Sequence, residues 1–412
     1  MKILFLTHYY TPEGNAPASR VSALAERWVQ SGHEVTVLTG FPNVPDGVVY
    51  PGYRNQWKQT EVINGVKVLR VWTYIAPNKG TVRRIANYLS YMHSAFWHGL
   101  WTERPDVLIA TSPQFFCGWA GARLSWWRRL PFVLEIRDIW PESMSAVNAG
   151  LPLPALKYIG WLARRMYRRA DRIVTVGQGY VEKLKERGVP ESKISVIMNG
   201  VDKKLFYPHP VNEELRAQYN LSGKFVCSYI GTIGMACGLK SALDAAQLLK
   251  ERGCDDIRIV LVGDGAQRES LQQEASERGL DNVVFTGRRP KAEMPDWVAS
   301  SDVNLVHLKK SDLFETVMPS KIFESAGCAR PILMGVNGFA KKIVMDAEAG
   351  VSVEPEDAVG IADALERLSS DPELCRRLGE NAWRNIASRY DRDVQADDYL
   401  KILSEVSERK GR

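Results

Sequence analysis

The 412-residue chain reads as an α/β protein with two doubly wound domains in tandem. Three observations predict this. Short apolar runs alternate with amphipathic stretches from end to end, the pattern of parallel sheets covered by helices. The length exceeds what one hydrophobic core ordinarily serves. The charge also divides midway: residues 1–195 hold 25 basic and 14 acidic side chains, against 29 and 34 in residues 196–412. The first half is therefore +11 and the second −5. Ten of the twelve tryptophans fall in the first 161 residues, so the halves face different partners.

In the first half the strands are Ile3–Leu6, Val35–Thr39, Val107–Ala110, Val133–Ile136, Ile173–Val176 and Ile194–Ile197. Helical periodicity runs through Ala18–Ser31, Arg83–Trp101, Leu156–Arg169 and Gly179–Arg187. Asn64-Gly65 suits the two positive-φ positions of a type I′ turn, so Val62–Val68 reads as a hairpin. An aperiodic break with Pro208 and Pro210 follows. The second half restarts with strands Phe225–Ile230, Ile257–Val262, Val283–Thr286, Val303–Val306 and Pro331–Met334. Its clearest helices are Leu239–Arg252, Gln267–Arg278 and Ile361–Ser369. The domains then span 1–200 and 201–389, with a tail of about 390–412 able to pack back on the first.

Several classes are excluded. At 45% hydrophobic and 25% charged residues, wholesale disorder does not fit. No apolar run reaches the length of a membrane span, and Met1–Leu6 is too short for a signal sequence, which points to a cytoplasmic protein. The six cysteines are scattered, without CxxC or neighbouring histidines, and read as reduced thiols with no metal site.

Ligands of doubly wound sheets bind beyond the carboxyl ends of the strands, so two facing domains form a cleft there. After the first strand, Gly14 and Asn15 precede a helix whose free N–H groups favour a phosphate; a plain βα turn explains them equally. Arg137 and Asp138 end a buried strand, where they either hold and orient an anion and an acceptor hydroxyl or form a structural pair. Three turns follow strands of the second half: Gly231-Thr232-Ile233-Gly234, Gly263-Asp264-Gly265 and Gly287-Arg288. None is a P-loop or a full GxGxxG, yet three at one sheet edge favour a nucleotide. Pro319 opens a helix that puts Ser320 and Lys321 in its first turn, suited to a diphosphate, and Glu324 a turn later, suited to ribose hydroxyls. A solvated Lys and Glu on an ordinary helix is the alternative.

Taken together, Asn199-Gly200-Val201-Asp202, Phe206, Gly231, Val262-Gly263-Asp264-Gly265, Gly287 and Glu324-Ser325-Ala326-Gly327 resemble the retaining glycosyltransferase family 4, of GT-B fold. Gly32-His33-Glu34-Val35 fits the same likeness, which covers nearly the whole chain. Glu135–Ser143 and Pro319-Ser320-Lys321 look like a bacterial surface-polysaccharide branch that includes transferases for N-acetyl-L-fucosamine. The resemblance implies two Rossmann-like domains facing across a cleft, a UDP-sugar donor, a polyprenyl-diphosphate-linked acceptor and no metal or other cofactor. The family's Glu-x7-Glu keeps its second member as Glu324, while Thr316 takes the first position and Glu315 stands one residue away. Its two basic phosphate ligands would fall near Thr232 and Cys237, neither basic, so Lys321 and Arg137 carry that charge, with Lys240 or Arg288 assisting. Thr316 leaves the donor-sugar end more neutral, which suits a deoxygenated or acetamido sugar. The lone DxD, Asp391-Arg392-Asp393, reads as surface.

Lys79–Trp101, Arg123–Leu130 and Lys157–Arg172 combine cations with tryptophan, which suits an anionic membrane surface on the inner face of the plasma membrane. Ile85–Trp101 reads as a helix lying in the interface plane. Tryptophan in the core and solvated arginine are the plain alternatives. Two rival functions stay open: a UDP-sugar 2-epimerase of the same fold, and a scaffold that binds nucleic acid or membrane without catalysis, although no nucleic-acid motif is present.

Overall fold

A computed structural model describes residues 1–44, 46–75, 81–112, 114–140, 153–312 and 314–411. The chain forms two compact units, Met1–Met198 with Asp393–Arg412, and Asn199–Arg392.

The first unit is built on eight strands: β1 (Lys2–Leu6), β2 (Glu34–Thr39), β3 (Lys58–Ile63), β4 (Val66–Val71), β5 (Val107–Ser112), β6 (Phe132–Ile136), β7 (Arg172–Thr175) and β8 (Ile194–Val196). Their order is β3-β4-β2-β1-β5-β6-β7-β8, and only β3 runs antiparallel to its neighbour. Asn64 and Gly65 join β3 to β4 with φ of 50° and 82°, the conformation the hairpin reading required. The period-2 alternation of β1 divides its side chains between two cores. Leu4 and Leu6 meet α2 (Thr81–Leu100), α3 (Phe115–Arg128) and α4 (Leu153–Arg169) through Met92, Phe115 and Leu162. Ile3 and Phe5 face α1 (Ala16–Gln30), which buries Ala18, Val21, Leu24, Ala25 and Trp28 at helical spacing.

The last helix, Arg392–Gly411, completes that second core with Tyr399, Leu403 and Val406. Trp28 Nε1 donates to the Ala396 carbonyl at 3.0 Å, and Arg27 donates to both Asp397 oxygens at 3.1 and 3.0 Å. The tail is therefore part of the first unit's interior.

The α2 helix corrects one expectation. Its apolar face does not lie free for a membrane interface: Tyr91, Met92 and Ala95 are buried against the sheet. The Tyr91 hydroxyl reaches the carbonyls of Thr7 and Leu38 at 2.8 and 2.9 Å. Burying that stripe in the core outweighs leaving it in solvent. Trp97 on the helix and Trp101 just past its end remain exposed. Two arginines of the aromatic stretches are likewise structural. Arg128 donates to the carbonyls of Gly99 and Thr102, and Arg169 to those of Ser125 and Leu130, satisfying the chain ends of α2 and α3.

The second unit holds β9 (Phe225–Ile230), β10 (Ile257–Val262), β11 (Val283–Gly287), β12 (Val303–His307), β13 (Ile332–Gly335) and β14 (Gly350–Ser352). All pair in parallel, in the order β11-β10-β9-β12-β13-β14. The three-residue β14 went unread because it is too short to show periodicity. The Asp391–Asp393 segment is not bare surface: Val201 bridges to Asp391, Lys203 pairs with the Asp391 carboxylate at 3.1 Å, and Arg392 Nε donates to the Gly200 carbonyl at 2.9 Å. It ties the two ends of this unit together. All six cysteines are free thiols.

Candidate functional site

In the second unit the strand order reverses between β9 and β12, which places the turn after β9 at the switch point where doubly wound sheets take ligands. The three glycine turns stand side by side there. Gly231 N donates to the Val262 carbonyl at 2.8 Å, and Gly263 N to the Gly287 carbonyl at 3.1 Å. Gly231 and Gly263 have φ of 142° and 143°. A Cβ at Gly263 would lie 1.9 Å from the Gly231 oxygen, and one at Gly265 2.4 Å from the Ile233 oxygen. These glycines therefore serve close main-chain stacking. The Gly231 N–H is already used by the Val262 carbonyl and is not free for a phosphate.

Lys321 starts the helix Lys321–Gly327, and Ser320 precedes it without a capping side-chain bond. The Lys321 ammonium lies 4.8 Å from the centre of the Tyr229 ring. A Cβ on Gly231 would approach Nζ to 2.8 Å, so the cation stands over that glycine. No carboxylate pairs with it within ion-pair distance among the described residues. Burial holds its pKa below the ordinary ammonium value, with Cys237 and Glu324 pulling the other way. Glu324 is half-buried on the same helix.

The other candidates separate. Lys240 is hydrogen-bonded to Glu274 on the surface, so it is not a spare phosphate ligand. Thr232 and Arg288 are exposed, and Gly234 opens the short turn Met235–Cys237. Thr316 is partly buried in the turn Phe314–Thr316, where Glu315 is exposed and its backbone packs against Gly338. The Cys237 thiol donates to the Thr232 carbonyl at 3.2 Å, a structural role at one position where a base was looked for.

Sequence reasoning missed Lys309. Its backbone N donates to the Ala236 carbonyl at 2.9 Å, and its stem lies 3.3 Å from a Cβ placed on Gly238. Lys309 and Lys321 thus flank the turn after β9. The available signal was its place shortly beyond the end of a predicted strand. His307 holds the same region: Nδ1 donates to the Cys237 carbonyl at 2.7 Å and Nε2 accepts from Glu356 N at 3.0 Å. Burial lowers the pKa of the ring.

In the first unit the order reverses between β1 and β5. Gly14 is exposed, with open space around the position a Cβ would take, and Asn15 caps α1 by accepting from Ala18 N at 2.9 Å. The Gly14 loop is built from within: the buried Glu13 carboxylate accepts from Tyr10 N, Asn43 N and Val44 N, and buried Arg70 donates to the Thr11 carbonyl. Arg137 N donates to the Ser112 carbonyl at 3.0 Å, joining the loops after β5 and β6. Its Nη1 is buried with no hydrogen-bond partner among the described residues. Burial lowers the Arg137 pKa, opposed by Glu135 and Asp138. Burial raises Asp138 to about 6, opposed by Arg137. Pro141–Ser143 of the same motif lie outside the described residues.

Two further groups at this edge were not foreseen. His8 is buried and ringed edge-on by Tyr9, Tyr88 and Tyr91, with its Nδ1 unpartnered among the described residues, and burial drops its pKa to about 3. Gln114, after β5, is also buried, and neither carboxamide atom completes a hydrogen bond among the described residues. By contrast Glu135 inside β6 is structural: it accepts from Thr111 at 3.0 Å and pairs with Arg20 at 3.4 Å. The first unit thus gathers a cation and neutral polar groups at one sheet edge, and the second a lysine over the Gly231 turn with the stem of Lys309 beside Gly238. The latter can hold a polyanion.

Comparison with known proteins identifies the family. Residues 15–200 match the glycosyl transferase 4-like domain, and residues 211–384 match glycosyl transferases group 1. A relative named for colanic acid biosynthesis, WcaI of Escherichia coli strain K12, is 26% identical over 96% of this chain and 100% of its own. The fold superposes on Anabaena HepE, crystallised with UDP and glucose, at a TM-score of 0.74, with 19% identity over 98% of this chain and 99% of that one. It also superposes on WaaG, a glycosyltransferase involved in lipopolysaccharide biosynthesis, at a TM-score of 0.69, with 16% identity over 97% and 99%. The epimerase and scaffold readings lose ground, because both halves match transferase domains. With a 4-like half and a group 1 half on two Rossmann-like sheets of GT-B type, the chain belongs to the glycosyltransferases.

Proposed function

We propose that the protein transfers a sugar from UDP to a polyprenyl-diphosphate-linked acceptor in bacterial surface-polysaccharide synthesis, with retention of anomeric configuration. One observation carries the donor half of this reading: a partly buried ammonium, Lys321, stands over Gly231 without a carboxylate partner among the described residues. A charge partly withdrawn from solvent without a counter-ion is unfavourable, and a diphosphate relieves it. Transfer needs stabilisation of the departing diphosphate while positive charge grows at the anomeric carbon, a task for fixed cations. Lys321 and Lys309 supply them, Glu324 accepts from ribose hydroxyls, and no metal takes part. Thr316 in place of a carboxylate suits an N-acetylated 6-deoxyhexose such as N-acetyl-L-fucosamine as donor sugar. In the first unit, Arg137 and Asp138 orient the acceptor.

The acceptor's lipid calls for a membrane surface. Trp126 and Trp127 on α3 are 68% and 65% exposed, and Tyr158 stacks on Trp161 beside the exposed Arg164, Arg165 and Arg168 of α4. Interfacial tryptophan and arginine favour an anionic bilayer, so the reading includes peripheral binding to the inner face of the plasma membrane. The decisive experiment is a thermal-shift titration with UDP, ADP and a panel of UDP-sugars. Selective stabilisation by UDP and one UDP-sugar supports the donor class; no preference among nucleotides refutes it.

A further inference from the structure

On the α2 side of the first sheet, a trough of about 240 Å³ remains where α2 ends. Its floor follows from strand alternation: Leu4 and Thr36 stand in register across β1 and β2, and Leu69 and Thr60 across β4 and β3. The floor therefore offers two hydroxyls and two leucines. The end of α2 supplies one wall, through His98 and Trp101.

His98 is the distinctive group. It is 7% exposed, its ring lies 5.0 Å from that of Trp57, and its Nε2 is buried without a partner among the described residues. A hydrogen bond to the Trp57 backbone occupies the other nitrogen as donor, so in the neutral ring Nε2 is an unused acceptor on a residue that lines the trough. Around the rim, Lys2 pairs with Glu103, while Lys58 and Lys67 have no ion-pair partner among the described residues. Trp101 presents an exposed ring, 76% accessible, at the mouth.

We propose that this trough binds a polyol phosphate. Lys58 and Lys67 supply charge for the phosphate, a hydroxyl of the ligand donates to His98 Nε2, the threonine hydroxyls take further polar groups, and Trp101 covers the carbon skeleton. A plain inorganic anion has no carbon skeleton to lie under Trp101, and an uncharged sugar leaves the lysines unmatched; a hydroxylated phosphate ester answers both. This chemistry has two sources, a soluble sugar or glycerol phosphate and the headgroup of a glycerophospholipid. The site is separate from the donor reading and stands without it.

The test uses the full-length protein, following tryptophan fluorescence on addition of glycerol 1-phosphate, glucose 1-phosphate or inorganic phosphate, and co-sedimentation with phosphatidylcholine vesicles with and without phosphatidylglycerol. Saturable binding of a soluble ester that falls at least tenfold in Lys58→Ala/Lys67→Ala and in His98→Phe supports the proposal from the soluble source. Phosphatidylglycerol-dependent sedimentation that falls at least tenfold in Lys58→Ala/Lys67→Ala and in His98→Phe supports the lipid source. The lysines are exposed, so the double variant keeps the fold, and its unchanged UDP affinity reports separately on the donor site. Binding of inorganic phosphate as tight as the esters, no saturable response to any probe, or responses equal in wild type and variants overturns the proposal.

Discussion

The Lys321 ammonium lies 4.8 Å from the centre of the Tyr229 ring, joining the start of one helix to the last strand position but one of β9. The ring face compensates part of the charge, and no carboxylate within ion-pair distance among the described residues compensates the rest. That relationship yields an asymmetric expectation. Lys321→Met should weaken UDP binding by about 10- to 100-fold, the loss of a charge-assisted contact, while leaving the free protein as stable or more so. Calorimetric titration and thermal melts measure both; equal UDP affinity in wild type and variant sinks the donor site.

Gly263 has no room for a side chain. Gly263→Ala would push a Cβ against the Gly231 oxygen at a φ that L-residues avoid. Destabilisation of about 2–4 kcal/mol is expected in urea unfolding, together with loss of UDP binding. A variant of native stability would show that the three turns can separate freely.

Asp138 makes a pH prediction. Its pKa is raised from 3.8 to about 6 in the folded state, so the folded protein holds the proton more tightly than the unfolded chain. Stability from this group is complete below the unfolded value and is lost as pH rises toward about 6. Asp138→Asn should therefore gain on wild type between about pH 4 and pH 7, by on the order of 1–3 kcal/mol across that window. A constant stability difference across the range contradicts the assignment.

The tail makes a folding prediction. A chain ending at residue 392 loses Tyr399, Leu403 and Val406 from the core shared with Trp28. At about 1.5–3 kcal/mol for each large side chain, that loss rivals the stability of a whole domain. The truncated protein should expose Trp28, seen as a red-shifted emission and faster proteolysis of residues 1–198, with the second unit intact. Native-like protection of the first unit would show the helix to be dispensable.

Membrane binding is checked by salt. Trp126→Ser/Trp127→Ser should reduce sedimentation with anionic vesicles several-fold, and about 0.5 M salt should weaken what remains, because arginine–headgroup attraction is screened. Sedimentation insensitive to both would remove α3 from the bilayer contact.

Alternation and helical spacing are local properties, so the chain itself determined the strand and helix pattern, the I′ hairpin at Asn64-Gly65 and two doubly wound units. The order of glycine turns and Lys321 was equally legible, because each follows a strand end or a helix-opening proline at short range. What a single stretch cannot encode is which donors are already used. Tertiary structure took the Gly231 N–H for the Val262 carbonyl, gave Lys240 to Glu274, turned the α2 stripe into the core and set Arg128 and Arg169 on helix ends. It also gathered His8, Gln114 and Arg137 from three separate strand ends and set Lys309 beside the turn after β9. Whether a polar group is free or satisfied depends on neighbours distant in the chain, and only the folded packing decides that.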